Sequence, residues 1–379
     1  MSEPVYLDHH SATPPLPEVL ETFSRISKEY WGVISSLHFV GQQPMYPLQK
    51  AVDNLFDKLG ALPKDELFLL RAEEATQRLF FHTYLQVSRE SGKTLFLTAE
   101  GQEMSLVKLC SQMEELGCSH KVLPLNAKGQ ITRQALESAI TSRTALVSIS
   151  WADGLTGVIH PIEDLAAVCK EKNILFHVDA SYVVGKRFFR FQDLGAHFLT
   201  VDGADIQSLQ DTGLLLIKEG TPVRLERSPP SIAFASTLAI AVEERQNKFE
   251  HYCMEIARLR DRLEEGVREG FSEAVILFKE ADRLPNVTVI AFPKVYSEAL
   301  LFLLNSKGIY ASSGGGKFQL LETILMAAGV EENLAKCALS FSLSWDTKEE
   351  EIEHAISLII ACAKQIQRSS KEIDLCKSI

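Results

Sequence analysis

Six carboxylates sit where short apolar runs of the chain end. Glu73, Glu103, Asp153, Asp179, Asp202 and Asp205 each close or shortly follow one of the runs 67–70, 94–98, 144–150, 174–179 and 198–201. If those runs are neighbouring strands, all six acids approach one pocket. Carboxylates gathered in this way can act as general acid and base, or hold Mg²⁺. The blander alternative is a solvated acidic hollow, or acids paired with Arg71 and with Lys317, which follows the glycines 314–316. No resident metal is expected. His9 and His10 are adjacent, so on an extended chain they point to opposite sides and do not share an ion. The seven cysteines include no C-x-x-C pair and read as reduced, mostly buried thiols. Cys376, near the end of the chain, is expected to be exposed.

The elements that must position these acids are legible as alternating patterns. Runs 67–70, 94–98, 120–125, 144–150, 174–179, 198–201 and 214–217 read as strands, and 103–116, 133–140 and 162–172 as amphipathic helices between them. Such alternation implies βαβ units and a mostly parallel sheet, in which ligands gather at the carboxyl ends of the strands. Beyond Pro230 the pattern changes to one long helix over 237–269, two strand-like runs at 286–292 and 338–343, and a charged helix from about 348. The expected fold class is α/β, with a large mostly parallel-sheet domain over 1–235 and a smaller α+β domain over 236–379 that begins with the long linking helix.

Composition narrows the function classes. The chain has 379 residues, 46% hydrophobic and 23% charged, enough to bury a sizeable core. Its net charge of −11 argues against nucleic acid and anionic membranes as partners. No apolar run is long enough to span a bilayer and the first residues do not read as a signal peptide, so the expected location is the cytoplasm.

Five segments, in order, resemble the cysteine desulfurase (NifS-like) branch of the class-V aminotransferases, which have the fold-type-I pyridoxal-phosphate architecture. Residues 6–14 (YLDHHSATP) resemble that family's "YLDNNATTP", and 35–41 (SSLHFVG) its "SSxHxxG". Residues 152–157 (ADGLTG) stand where the family has "ANNETG", and 177–186 (HVDASYVVGK) are close to "HVDAAQxxGK". Near the end, Ser342-Leu343 followed by 347–352 (TKEEEI) is similar to "RFSLGxxTTEEEI". The resemblance implies a homodimer using pyridoxal phosphate, and Asp179 as the carboxylate that keeps the pyridine nitrogen protonated.

The same resemblance places altered residues at the other working positions. Aligned through Gly195 and Gly213, residues 201–205 (VDGAD) occupy the family's "FSGHK", with Asp205 at the Schiff-base lysine, Asp202 at a serine and Ala204 at a histidine. A carboxylate cannot form an imine. In the phosphate cup "SGATEAN", Arg71 replaces a glycine and Glu73 a hydroxyl residue. Two acids, Glu73 and Asp202, would then face a phosphate of charge about −2. One like-charge pair at about 4 Å costs roughly 4 kcal/mol at an effective dielectric of about 20, part of which Arg71 offsets. Glu103 aligns with the ring-stacking histidine, Tyr182 with the glutamine of "DAAQ", and Asp153 with an asparagine. Lys317 aligns with the sulfur-carrying loop cysteine, and Ser340 with the substrate arginine. The family's Gly-Thr phosphate stretch is reduced to residues 224–231.

These changes lead to the expectation of a non-catalytic relative that acts as a binding or regulatory subunit and uses no cofactor. A homodimer is the default partner, with a catalytic paralogue or an iron–sulfur scaffold protein as others. Two alternatives stay open: an enzyme with repurposed chemistry in the acidic cleft, and retained pyridoxal-phosphate activity through another lysine, Lys317 or Lys186.

Overall fold

A computed structural model describes residues 4–101, 103–226, 231–316 and 319–377. The strands are β1 (Val5–Tyr6), β2 (Glu66–Leu69), β3 (Leu95–Ala99), β4 (Ser119–Leu123), β5 (Thr144–Ser150) and β6 (Leu175–Asp179). They continue with β7 (Phe198–Asp202), β8 (Gly213–Ile217), β9 (Val275–Leu277), β10 (Val287–Ala291), β11 (Ile309–Tyr310) and β12 (Ala338–Ser342).

The large sheet has seven strands in the order β2-β8-β7-β6-β5-β3-β4. Neighbours from β7 through β4 run parallel, while β8 is antiparallel to both β7 and β2. Central strands covered on both faces need apolar residues at nearly every position. β5 fits: its first six residues, Thr144 to Ile149, are all buried. All seven expected strands of this sheet form, with ends shifted by no more than two residues.

The chain after β3 runs outward to β4 and then returns to place β5 on the other side of β3. This reversal makes a crevice at the carboxyl ends of the strands between β3 and β5. Helices Ala72–Thr83 and Met104–Glu115 start beside it, after β2 and β3. Gly213 fixes the first of these helices closely. A Cβ there would lie 2.9 Å from the Leu70 carbonyl oxygen and 3.0 Å from the Ala72 nitrogen.

The long helix expected over 237–269 is two helices, Ile232–Asn247 and Phe249–Gly270, separated at Lys248, whose φ of −103° and ψ of 9° leave the helical region. The expected division at 235/236 falls within the first of them. That helix packs against Pro17–Glu29 and Met45–Leu59, two helices that the strand pattern does not announce.

The remaining residues build a three-stranded antiparallel sheet, β12-β10-β9, backed by Phe249–Gly270, Ser297–Ser306 and the terminal helix Glu349–Lys377. β9 was not expected from the sequence. The N-terminal strand joins this part of the molecule: β1 pairs parallel with β11, and Asp8 bridges Ser342. Among the described residues no helix is long and apolar enough to cross a membrane.

Candidate active site

A cavity of about 190 Å³ opens at the carboxyl ends of the central strands. Its floor is set by strand register. Ser148 lies opposite His177 and Ser150 opposite Asp179 across β5 and β6, and Asp179 lies opposite Thr200 across β6 and β7. Ser148 Oγ and Thr200 Oγ1 flank the two ring nitrogens of His177 at 2.8 and 3.0 Å. Full burial pushes the His177 imidazole down to about 3, so it stays neutral.

Asp179 is the last residue of β6, where the chain turns. Its Oδ1 accepts hydrogen bonds from the Ser181 backbone N–H, at 2.9 Å, and from the Ser181 hydroxyl. The same Ser181 oxygen accepts from the Asp202 backbone N–H at 2.8 Å. Ser181 thus ties the ends of β6 and β7 together and orients the Asp179 carboxylate. Asp202 Oδ1 in turn accepts from the Ala204 N–H at 2.9 Å, which shapes the short turn Ala204–Ile206.

The opposite wall comes from the two helix starts, with Ala72, Glu73 and Thr76 on one and Glu103 and Ser105 on the other. Arg71 lies 3.1 Å from Asp211 and 3.7 Å from Glu73, so part of the acidic charge at the first helix start is balanced.

Of the expected site residues, Glu73, Glu103, Asp179 and Asp202 line this one cavity, together with Arg71. Others do not line it. Asp153 is half-buried; its Oδ1 accepts from the Thr156 N–H at 2.7 Å and hydroxyl at 2.8 Å, and desolvation raises its pKa. Tyr182 packs against His10, with ring centroids 5.7 Å apart, beside Gly154. Ser340 donates its hydroxyl to the Leu155 carbonyl at 2.6 Å. Ala204 and Asp205 lie in the turn after β7. Lys317 lies outside the described residues, as does the side chain of Cys376, and the stretch 224–231 is described only in part. Lys186 offers its backbone carbonyl to Cys253 Sγ at 3.3 Å. Among the described residues no group of His, Cys, Asp and Glu is arranged to hold a metal ion.

Sequence reasoning missed Ser148, Ser150, His177 and Ser181. The signal was polar residues alternating along otherwise apolar β5, and a serine two positions after a strand-end aspartate.

The family model for class-V aminotransferases matches residues 5–251. The chain belongs to the class-V aminotransferase family. Among proteins similar to it, the cysteine desulfurase NifS of Azotobacter vinelandii is 29% identical, over 97% of this chain and 94% of its own. A cysteine desulfurase of Sinorhizobium fredii is also 29% identical, over 97% and 98%. A solved NifS-like protein superposes with a TM-score of 0.86 at 25% identity, covering 94% of this chain and 98% of its own. A NifS-like protein of Rickettsia africae shares the fold, with a TM-score of 0.82 at 21% identity over 96% and 99%.

These relatives correct two expectations. The chain was expected not to be an enzyme, yet nearly all of it matches proteins named as cysteine desulfurases, so an enzyme is what the relationship supports. It was expected to use no cofactor, yet it belongs to a family built around pyridoxal phosphate, and that cofactor is the one to expect. The physical reason for both corrections is that each altered motif position was read as a lost function. Arg71 was allowed only a partial offset of the acids' repulsion, and it lies 3.7 Å from Glu73 and 3.1 Å from Asp211.

The cavity residues fit the cofactor's ring and phosphate. Asp179 is an oriented carboxylate at the floor, and a 12-residue helix starts at the wall, where backbone N–H groups favour an anion. Among the described residues, none lining the cavity is a lysine.

Proposed function

We propose that this chain is a pyridoxal-phosphate-dependent enzyme of the cysteine-desulfurase-like class, acting on a small amino acid, with chemistry altered from that of its relatives. The observation that carries the reading is Asp179, held by Ser181 at the floor of a strand-end cavity beside a helix N-terminus. Bound there, pyridoxal phosphate supplies an electron sink for bonds at the substrate's α-carbon.

The chain's own residues then have these roles. Asp179 holds the proton on the pyridine nitrogen, and Ser181 keeps its carboxylate aimed. The start of Ala72–Thr83, with Thr76 in its first turns, receives the phosphate, and Arg71 tempers the repulsion from Glu73. Asp202, at the cavity wall where the resemblance puts a serine, is the group we assign to proton transfer.

The test is titration of the purified protein with pyridoxal phosphate, following visible absorbance and heat. Saturable binding that weakens roughly tenfold to a hundredfold in Asp179→Asn, the span of a lost charged hydrogen bond, supports the reading. Absence of binding heat and of any absorbance change would sink it. A band that borohydride fixes onto a lysine would assign the imine-forming role to that residue.

A homodimer is the assembly we propose. The segment 31–46 exposes Trp31, Leu37, Phe39 and Tyr46, at 72%, 91%, 78% and 80% of their accessible surface. So many exposed large apolar side chains close in sequence suit a self-complementary interface. Light scattering should give twice the chain mass, and Leu37→Asp with Phe39→Asp should give the single chain.

A further inference from the structure

The opposite end of the large sheet carries a second cavity, of about 490 Å³, at the amino ends of β3, β6 and β7. Its wall includes Lys93, Lys170, Lys218 and His197. Lys93 precedes β3, His197 precedes β7, and Lys218 follows β8, whose antiparallel direction brings its last residue to this side. Three lysines on one small cavity are a local reversal of sign in a chain of net charge −11.

Lys170 has a structural role available, since it sits in the last turn of Ile162–Glu171, where a cation offsets the helix's negative end. Lys93 and Lys218 have no such role. Lys93 Nζ donates to the Asn173 carbonyl at 3.3 Å, and Lys218 Nζ to the Gln192 carbonyl at 3.4 Å. An ammonium has three N–H donors, so each keeps others for a ligand. Among the described residues neither is ion-paired with a carboxylate; the one acid of the wall, Glu219, lies 3.6 Å from Lys64 instead.

His197 adds a directed donor. Its Nδ1 accepts the Phe176 backbone N–H at 3.1 Å, which leaves the ring proton on Nε2. Burial and then the Lys218 charge hold this imidazole below its ordinary value, so the cavity places positive charge near a ring that resists a second proton. An anion between them would relieve that conflict.

We propose that this cavity binds a small phosphorylated anion carrying at least two negative charges, held by Lys93, Lys218 and His197. The volume lies within the range of small-molecule sites. The proposal is independent of the cofactor reading, because the two cavities share no lining residue.

Calorimetric titration of the full-length protein with inorganic pyrophosphate, at physiological ionic strength, is the test. The expected result is saturable binding that weakens at least tenfold in Lys93→Gln/Lys218→Gln, with thermal unfolding confirming that the variant is folded. Lys64→Gln should leave the affinity within twofold. The His197 imidazole, followed by NMR, should take up its second proton at higher pH when pyrophosphate is present. No saturable heat, an affinity unchanged in the double variant, or an affinity lost instead in Asp179→Asn would each overturn the proposal.

Discussion

At the scale of single residues, the folded state depends on neutral histidines and paired buried charge. Burial holds His177 at about 3 and His160 at about 4, and holds His9 at about 4, against an ordinary value of 6.5. The folded chain keeps these rings neutral where the unfolded chain protonates them. Their stabilising contribution is therefore complete above about pH 6.5 and is lost as the pH falls toward 4. Three such groups make the unfolding free energy fall by roughly 4 kcal/mol per pH unit in the middle of that window. Urea unfolding at a series of pH values measures this slope, which should shrink by about a third in His160→Gln. A second residue-scale expectation concerns Glu264 and Arg283, 2.7 Å apart with 1% and 7% of their side chains exposed. Glu264→Gln leaves a buried guanidinium without its counter-charge and should cost about 3 kcal/mol, read from the same unfolding curves. Asp179 was legible because a strand-end acid needs only a strand to be noticed. The bond from Ser148 through His177 to Thr200 was not, because it requires the register of three neighbouring strands, which no local pattern states.

At the scale of elements, the sheet was legible and its helical partners only partly so. Strands buried on both faces write nearly continuous apolar runs, and β5, β6 and β8 are of that kind. The break at Lys248 has no glycine or proline to announce it. It lies where Lys248 Nζ comes within 4.6 Å of the Trp345 ring centroid and Arg245 within 4.8 Å, a contact between distant parts of the chain. Trp345→Ala should remove this clamp and lower stability by about 3 kcal/mol, measured by denaturant unfolding. The junction at Gly213 gives a prediction that joins packing to function. A methyl group there meets the Leu70 carbonyl and the start of helix Ala72–Thr83. Gly213→Ala should cost about 1–3 kcal/mol and should weaken pyridoxal-phosphate binding as well, by displacing the helix start from the cavity wall.

At the scale of the whole molecule, the N-terminal segment is a component of the C-terminal part. Val5 and Leu7 are buried there, at 3% and 0% exposure, and the Ser342 N–H donates to the Leu7 carbonyl at 2.8 Å. Deleting residues 1–8 exposes the apolar surface that Val5 and Leu7 cover and should lower stability by about 4 kcal/mol, seen as a lower unfolding midpoint. The sequence motif around Tyr6 to Pro14 marked this segment as part of the family pattern, but nothing local showed which part of the fold it joins.

That attachment also sets a timetable for biosynthesis. β1 leaves the ribosome before its partner β11, which is made about 300 residues later. At about 5–20 residues per second, the first strand waits roughly 15–60 s for the segment that covers it. During that interval Val5 and Leu7 have no native neighbour among the β11 and β12 residues, although the large sheet is already complete in the emerging chain. The nascent chain therefore carries an unpaired apolar segment until β11 has emerged, and that stretch is where a ribosome-associated chaperone would have a long hold.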